Sequence, residues 1–111
     1  MIHTTKLDRD VLAELRTLEA IQPGMLAEIA CLFLETIDQR VETIANAEEL
    51  EVVIQAAHAI KGSSGALGAS GLCMIAGEIE KDARAGRPPT PHLAALRHAL
   101  EAVRPAITAL R

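Results

Sequence analysis

His58, Lys61 and Gly62 form the cluster in this 111-residue chain whose residue types and spacing stand out as able to do chemistry. On a helix turning by about 100° per residue they share one face with Glu51, Ile54, Gln55 and Gly65. An imidazole has an ordinary pKa of about 6.5, so it is largely neutral at pH 7 and can attack phosphorus without a strong base. The phosphoramidate so formed is anionic, and a lysine one helical turn away is placed to neutralise it. An exposed histidine of this kind could take up a phosphoryl group and hand it on, provided the acceptor supplies the remaining catalytic parts.

The same face departs from simple helix design. Gly62 and Gly65 each cost about 1 kcal/mol relative to alanine inside a helix. Ile54 puts an apolar group on the side expected to be wet. A lone surface histidine or lysine is ordinarily just solvated. Together these residues describe a flat, partly apolar patch where another protein can approach the backbone around a central imidazole, with Ile54, Gln55, Gly62 and Gly65 as docking residues. On the opposite face Val52, Val53, Ala56, Ile60, Ser63 and Leu67 read as core. Ser63 and Ser64 read as coreward hydroxyls bonding back to the carbonyls of Ala59 and Ile60, not as nucleophiles.

The elements that carry this face are helices. Half the residues are apolar, Ala and Leu dominate, and Phe33 is the only aromatic residue. Asp8 can cap a first helix to about Ala20, with Leu7 and Leu12 as a hydrophobic staple and Leu12, Leu15 and Leu18 inward. Gln22-Pro23-Gly24 breaks it. A long second helix carries Leu26, Ile29, Phe33, Ile37, Val41 and Ile44 on one stripe. Asn46 can end it and, with Glu49, resembles a capping box for a third helix from about Ala47, closed by Gly68. The fourth, from about Ser70 to Ala85, turns Leu72, Ile75, Ala76, Ile79 and Ala83 inward and stops at Gly86. Thr90 and Pro91 open the last helix, whose stripe is Leu93, Leu96, Leu100, Val103, Ile107 and Leu110, with a kink expected at Pro105. The expected fold is all-α: an antiparallel up-down-up-down four-helix bundle with a short N-terminal helix, one domain over 1–111.

Several function classes fit poorly. A formal charge of −4 argues against nucleic acid or an anionic membrane as partner. No apolar run approaches the roughly 18–20 residues of a membrane span, and the polar start has no signal-peptide core. Cys31 and Cys73 are far apart and read as reduced, buried thiols of a cytoplasmic protein. Gly62, Gly65 and Gly68 do not make a nucleotide loop, because GK[ST] and a preceding strand are both missing. His3, His58, His92 and His98 lack metal-ligand spacing, so no metal and no cofactor are expected. A bundle that only binds partners is the remaining alternative, disfavoured by the intact His58 and Lys61.

Ala57-His58-Ala59-Ile60-Lys61-Gly62-Ser63-Ser64, followed by Gly68-Ala69 and Leu72, resembles the signature of histidine-containing phosphotransfer (HPt) domains. Leu7-Asp8, Phe33-Leu34 and Ile79-Glu80 are also similar to that family, so the resemblance runs over nearly the whole chain. It implies a phosphocarrier, not a self-phosphorylating kinase. His58 would take a phosphoryl group at Nε2 from one receiver-domain aspartate and pass it to another, the partners being the receiver domains of a hybrid sensor histidine kinase and of a response regulator. Lys61 would steady the group and Gly62 would leave room for the receiver, which brings the acidic Mg²⁺ pocket. Ile60 stands where Leu is common, and no aromatic follows Ala47. The phosphorylated domain of chemotaxis-type kinases shares the HxxKG motif, but no ATP-binding segment is present here and Gly68-Ala69 is nearer the phosphorelay type. Met1 fits a free-standing protein, expected to be a monomer.

Overall fold

The computed structural model describes residues 5–111, and His3 lies outside them. Five α-helices follow one another: α1 (Arg9–Ile21), α2 (Met25–Asn46), α3 (Leu50–Ala66), α4 (Ser70–Arg84) and α5 (Leu93–Thr108), the last entered through a 3₁₀ turn at Thr90–His92. No strand occurs among the described residues. Helix α2 packs on α3, α3 on α4, α4 on α5 and α5 back on α2, so four helices enclose one core while α1 lies against α2. The α3–α4 contact is the most extensive. Among the described residues no helix is long and apolar enough to cross a membrane.

The core is aliphatic. Ile37, Ile44, Ile60, Leu67, Leu72, Ile79, Leu96 and Ile107 are its largest fully buried side chains. The α2 stripe lies as its spacing requires, with Leu26, Phe33, Ile37, Val41 and Ile44 buried and Ile29 half-buried. In α4 all five expected residues are buried, and so is Glu80. Arg97 to Glu42 and Arg104 to Asp38, both at 2.6 Å, tie α5 to α2 across the surface.

Helix ends follow local chemistry. Asp8 caps α1, its Oδ1 accepting from the amides of Asp10 and Val11 at 3.0 Å. Gly68, at φ +78°, makes the turn that ends α3, and its carbonyl accepts the Asp8 N–H at 2.7 Å. A Cβ there would stand 3.0 Å from the Asp8 nitrogen, so this glycine is required twice over. Glu19 of α1 accepts from the amides of Gly24 and Leu26 at the start of α2, which holds its carboxyl below the usual range.

Several expectations need correction. Helix α3 starts at Leu50 with Glu49 at its cap, and no side chain caps it, so the Asn46–Glu49 box is absent. Ala47 to Glu49 are the connector instead. Thr90 and Pro91 open the 3₁₀ turn, not α5 itself. Only Leu15 of the α1 stripe is buried, and Leu18 is exposed. Cys31 and Cys73 are free thiols, half-buried where full burial is expected. The expectation that α5 continues beyond Pro105 holds, the helix running to Thr108.

Candidate functional site

Helix α3 is rotated slightly from the expected setting. Val53, Ala56, Ala57, Ile60 and Ser64 are buried, while Val52 is exposed and Ser63 is half-buried. The broad contact with α4 covers an arc that simple patterning leaves wet. Ile54 is therefore half-buried and packs against the core, contrary to its expected exposure. Gly65 is likewise not open surface: a Cβ there would meet Cys73 Sγ at 3.4 Å. Gln55 and Gly62 are exposed as expected, and a Cβ on Gly62 would meet nothing within 4 Å.

His58 projects from this surface with two-thirds of its side chain accessible. Its Nδ1 lies 3.0 Å from Glu80 Oε2 of α4. Lys61 Nζ meets the other oxygen of Glu80 at 2.8 Å, and Arg84 Nη2 meets Oε2 at 2.9 Å. Glu80 is only 5% exposed and supports a histidine and two cations from beneath the surface. Lys61, then Arg84, hold its carboxyl down to about 2 against the opposing effect of burial, and the His58 contact adds to them.

That ionised carboxylate fixes the imidazole. A carboxylate can only accept, so Nδ1 must carry the hydrogen, and in the neutral ring the Nε2 lone pair is left free. The arrangement leaves an unprotonated nitrogen on a side chain that is two-thirds accessible, with an anion behind it that stabilises positive charge on the ring. Helical spacing places His58 and Lys61 together but does not single out Glu80, which enters the sequence pattern only through the Ile79-Glu80 resemblance. A signal was available: Cys73, Gly77, Glu80 and Arg84 recur at helical spacing along the α4 edge that faces α3.

One recess lies at the site and another between α2 and α3. Lys61, Gly77, Glu80, Lys81 and Arg84 line one of about 300 Å³. On the α2 side, Ser63 borders an apolar recess of about 460 Å³ walled by Ile29, exposed Leu32, Phe33, Ala66 and Leu67. Ser63 Oγ donates to the carbonyl of Ala59 at 3.0 Å, with Ile60 farther at 3.4 Å, as expected; the fully buried Ser64 hydroxyl does not make this bond. His92 Nε2 meets Asp82 Oδ2 at 2.7 Å and, with Arg87, pins the α4–α5 connection; these two contacts, Arg87 foremost, lower the Asp82 carboxyl. Among the described residues no three His, Cys, Asp or Glu side chains converge as metal ligands.

No curated protein and no solved structure matches the chain. The family model for the Hpt domain matches residues 28–106, from the first turn of α2 to near the end of α5, and so spans all but the outermost residues of the four helices that enclose the core, His58, Lys61 and Glu80 included. With most of its length matched, this chain belongs to the Hpt domain family.

Proposed function

We propose that this protein relays a phosphoryl group between receiver-domain aspartates through His58. Membership of the Hpt domain family implies histidine phosphotransfer in a phosphorelay. The observation that carries the residue assignment is the 3.0 Å contact of His58 Nδ1 with buried Glu80, which leaves the Nε2 lone pair unprotonated in the neutral ring. In the transfer, the Nε2 lone pair forms an N–P bond while the P–O bond to the receiver aspartate breaks, returning that carboxylate. The Nδ1 proton stays on the ring, and Glu80 neutralises the charge that develops there. The second receiver reverses these changes. Lys61, which shares Glu80 with His58, would exchange part of its hold on that carboxylate for the incoming phosphoryl oxygens.

Exposed Gln55 and Gly62 would form the open part of the docking patch, with half-buried Ile54 and Gly65 at its α4 edge. Mg²⁺ would reside in the receiver, and no cofactor of the carrier's own is invoked. The three-residue connectors from α2 to α3 and from α3 to α4, and the closed ring of helix pairs, support an antiparallel up-down-up-down arrangement with α1 outside it. A cytoplasmic monomer is the form we assign to the carrier. Incubation with a panel of phosphorylated receivers tests the reading, because a protein that only binds them would acquire no covalent label.

A further inference from the structure

Gly77 has no conformational reason to be glycine. It sits inside α4, its φ is not positive, and glycine is the poorest helix former after proline. What lies over it is the stem of Lys61: a Cβ built on Gly77 would stand 3.4 Å from Lys61 Cδ, an ordinary contact distance with no space to spare for more atoms. Lys61 leaves α3 at that level and continues to Glu80 Oε1, 2.8 Å from its Nζ. Both residues line the same recess beside the imidazole.

We infer that Gly77 is a positioning residue for phosphotransfer: its missing side chain is the seat that lets Lys61 lie flat across α4 and reach Glu80 behind His58. The inference rests on the phosphocarrier reading for its functional consequence, though not for its geometry. Alanine fills the seat without moving the stem. A β-branched residue does not, because in a helix its two γ-carbons take both staggered positions open to it and one cannot be turned away. Lys61 is then lifted off, and Glu80 keeps only Arg84 and His58.

The test compares Gly77→Ala, Gly77→Val, Lys61→Ala and the Val/Ala double variant in the full chain. Valine is a better helix former than glycine, so the fold should survive; circular dichroism checks this, and Gly77→Thr, also β-branched, replaces the valine variant if it does not. Carbon-13 titration of the Glu80 carboxyl is the readout independent of activity. Its midpoint should rise from about 2 toward the usual carboxylate range in Gly77→Val as in Lys61→Ala, and stay low in Gly77→Ala. Transfer from a phosphorylated receiver should slow about tenfold in Gly77→Val and in Lys61→Ala alike, with no further loss in the double variant. An unmoved Glu80 midpoint in folded Gly77→Val, or losses that add in the double variant, would overturn the inference. If the unmodified protein accepts no phosphoryl group from any receiver, the carrier reading fails, while the carboxyl titration still decides the role of Gly77.

Discussion

Oε2 of Glu80 receives both the Nδ1 of His58, from α3, at 3.0 Å and the guanidinium of Arg84, one turn along α4, at 2.9 Å. One buried oxygen thus divides its charge between holding the imidazole and staying ionised. Glu80→Gln offers the ring either a carbonyl or an amide, so both neutral tautomers become accessible. Nitrogen-15 spectra of His58 at alkaline pH should show one tautomer in the unmodified protein and a mixture in the variant, with transfer slowed by about tenfold. An unchanged tautomer and rate would show that Glu80 does not govern the ring.

His58 is expected to be the only phosphorylation site. A phosphorylated receiver should leave an acid-labile, alkali-stable label that disappears in His58→Gln and persists when His3, His92 or His98 is replaced. Label on folded His58→Gln would sink the assignment.

Lys61→Ala should keep the bundle folded, since its ammonium is partly exposed and Glu80 retains Arg84. Loss of one charge-assisted contact is worth about 1.5–3 kcal/mol at most, so transfer should slow but not stop. Equal rates in both directions for variant and parent would reduce the lysine to a surface charge.

Acid should expose the same carboxylate. Its folded value of about 2 lies below the ordinary 4.5, so its contribution to stability is complete above 4.5 and is lost as the pH falls toward 2. Glu19 and Asp82 are lowered too, so the whole-protein profile mixes several groups. The difference between the unmodified protein and Glu80→Gln isolates one of them. Denaturant melts across that window should converge as the pH falls; parallel curves would mean that Glu80 is not held ionised by the fold.

Gly62 sets stability against function. Nothing within 4 Å would meet its Cβ, so Gly62→Ala should stabilise the helix by about 0.5–1 kcal/mol. Gly62→Gln should stay folded yet dock poorly, because its side chain would stand between the backbone and a receiver. Thermal midpoint and receiver affinity measured on the same two variants separate these effects, and normal transfer by Gly62→Gln would remove the docking role.

Much of this was legible in the residues. The α2 stripe, the α4 stripe and the Asp8 cap follow from spacing and side-chain chemistry, and the face of His58 follows from its motif. Glu80 was not legible by patterning, because periodicity assigns a residue to one side of its own helix and says nothing of which neighbour waits there. A glutamate beside a buried stripe reads as flank until α3 brings Lys61 over it. The errors on α3 share this origin: Val52 is exposed and Ala57 buried because α4, not the apolar count of α3 itself, decides which arc is covered. The start of α3 was misread because Asn46, a good capping residue, is spent as the last turn of α2.

The bond from the Asp8 amide to the Gly68 carbonyl joins positions far apart in a chain whose helices otherwise mostly meet their neighbours in sequence. Closing that long loop is entropically late, and few buried side chains reward it: Leu15 is the only buried residue within α1, and Leu7 precedes it. Helix α1 can therefore detach as a small cooperative unit while α3 and α4 stay paired. Amide hydrogen exchange at Asp8 is expected to report an opening that leaves the His58–Glu80 bond untouched, the outer helix breathing apart from the site.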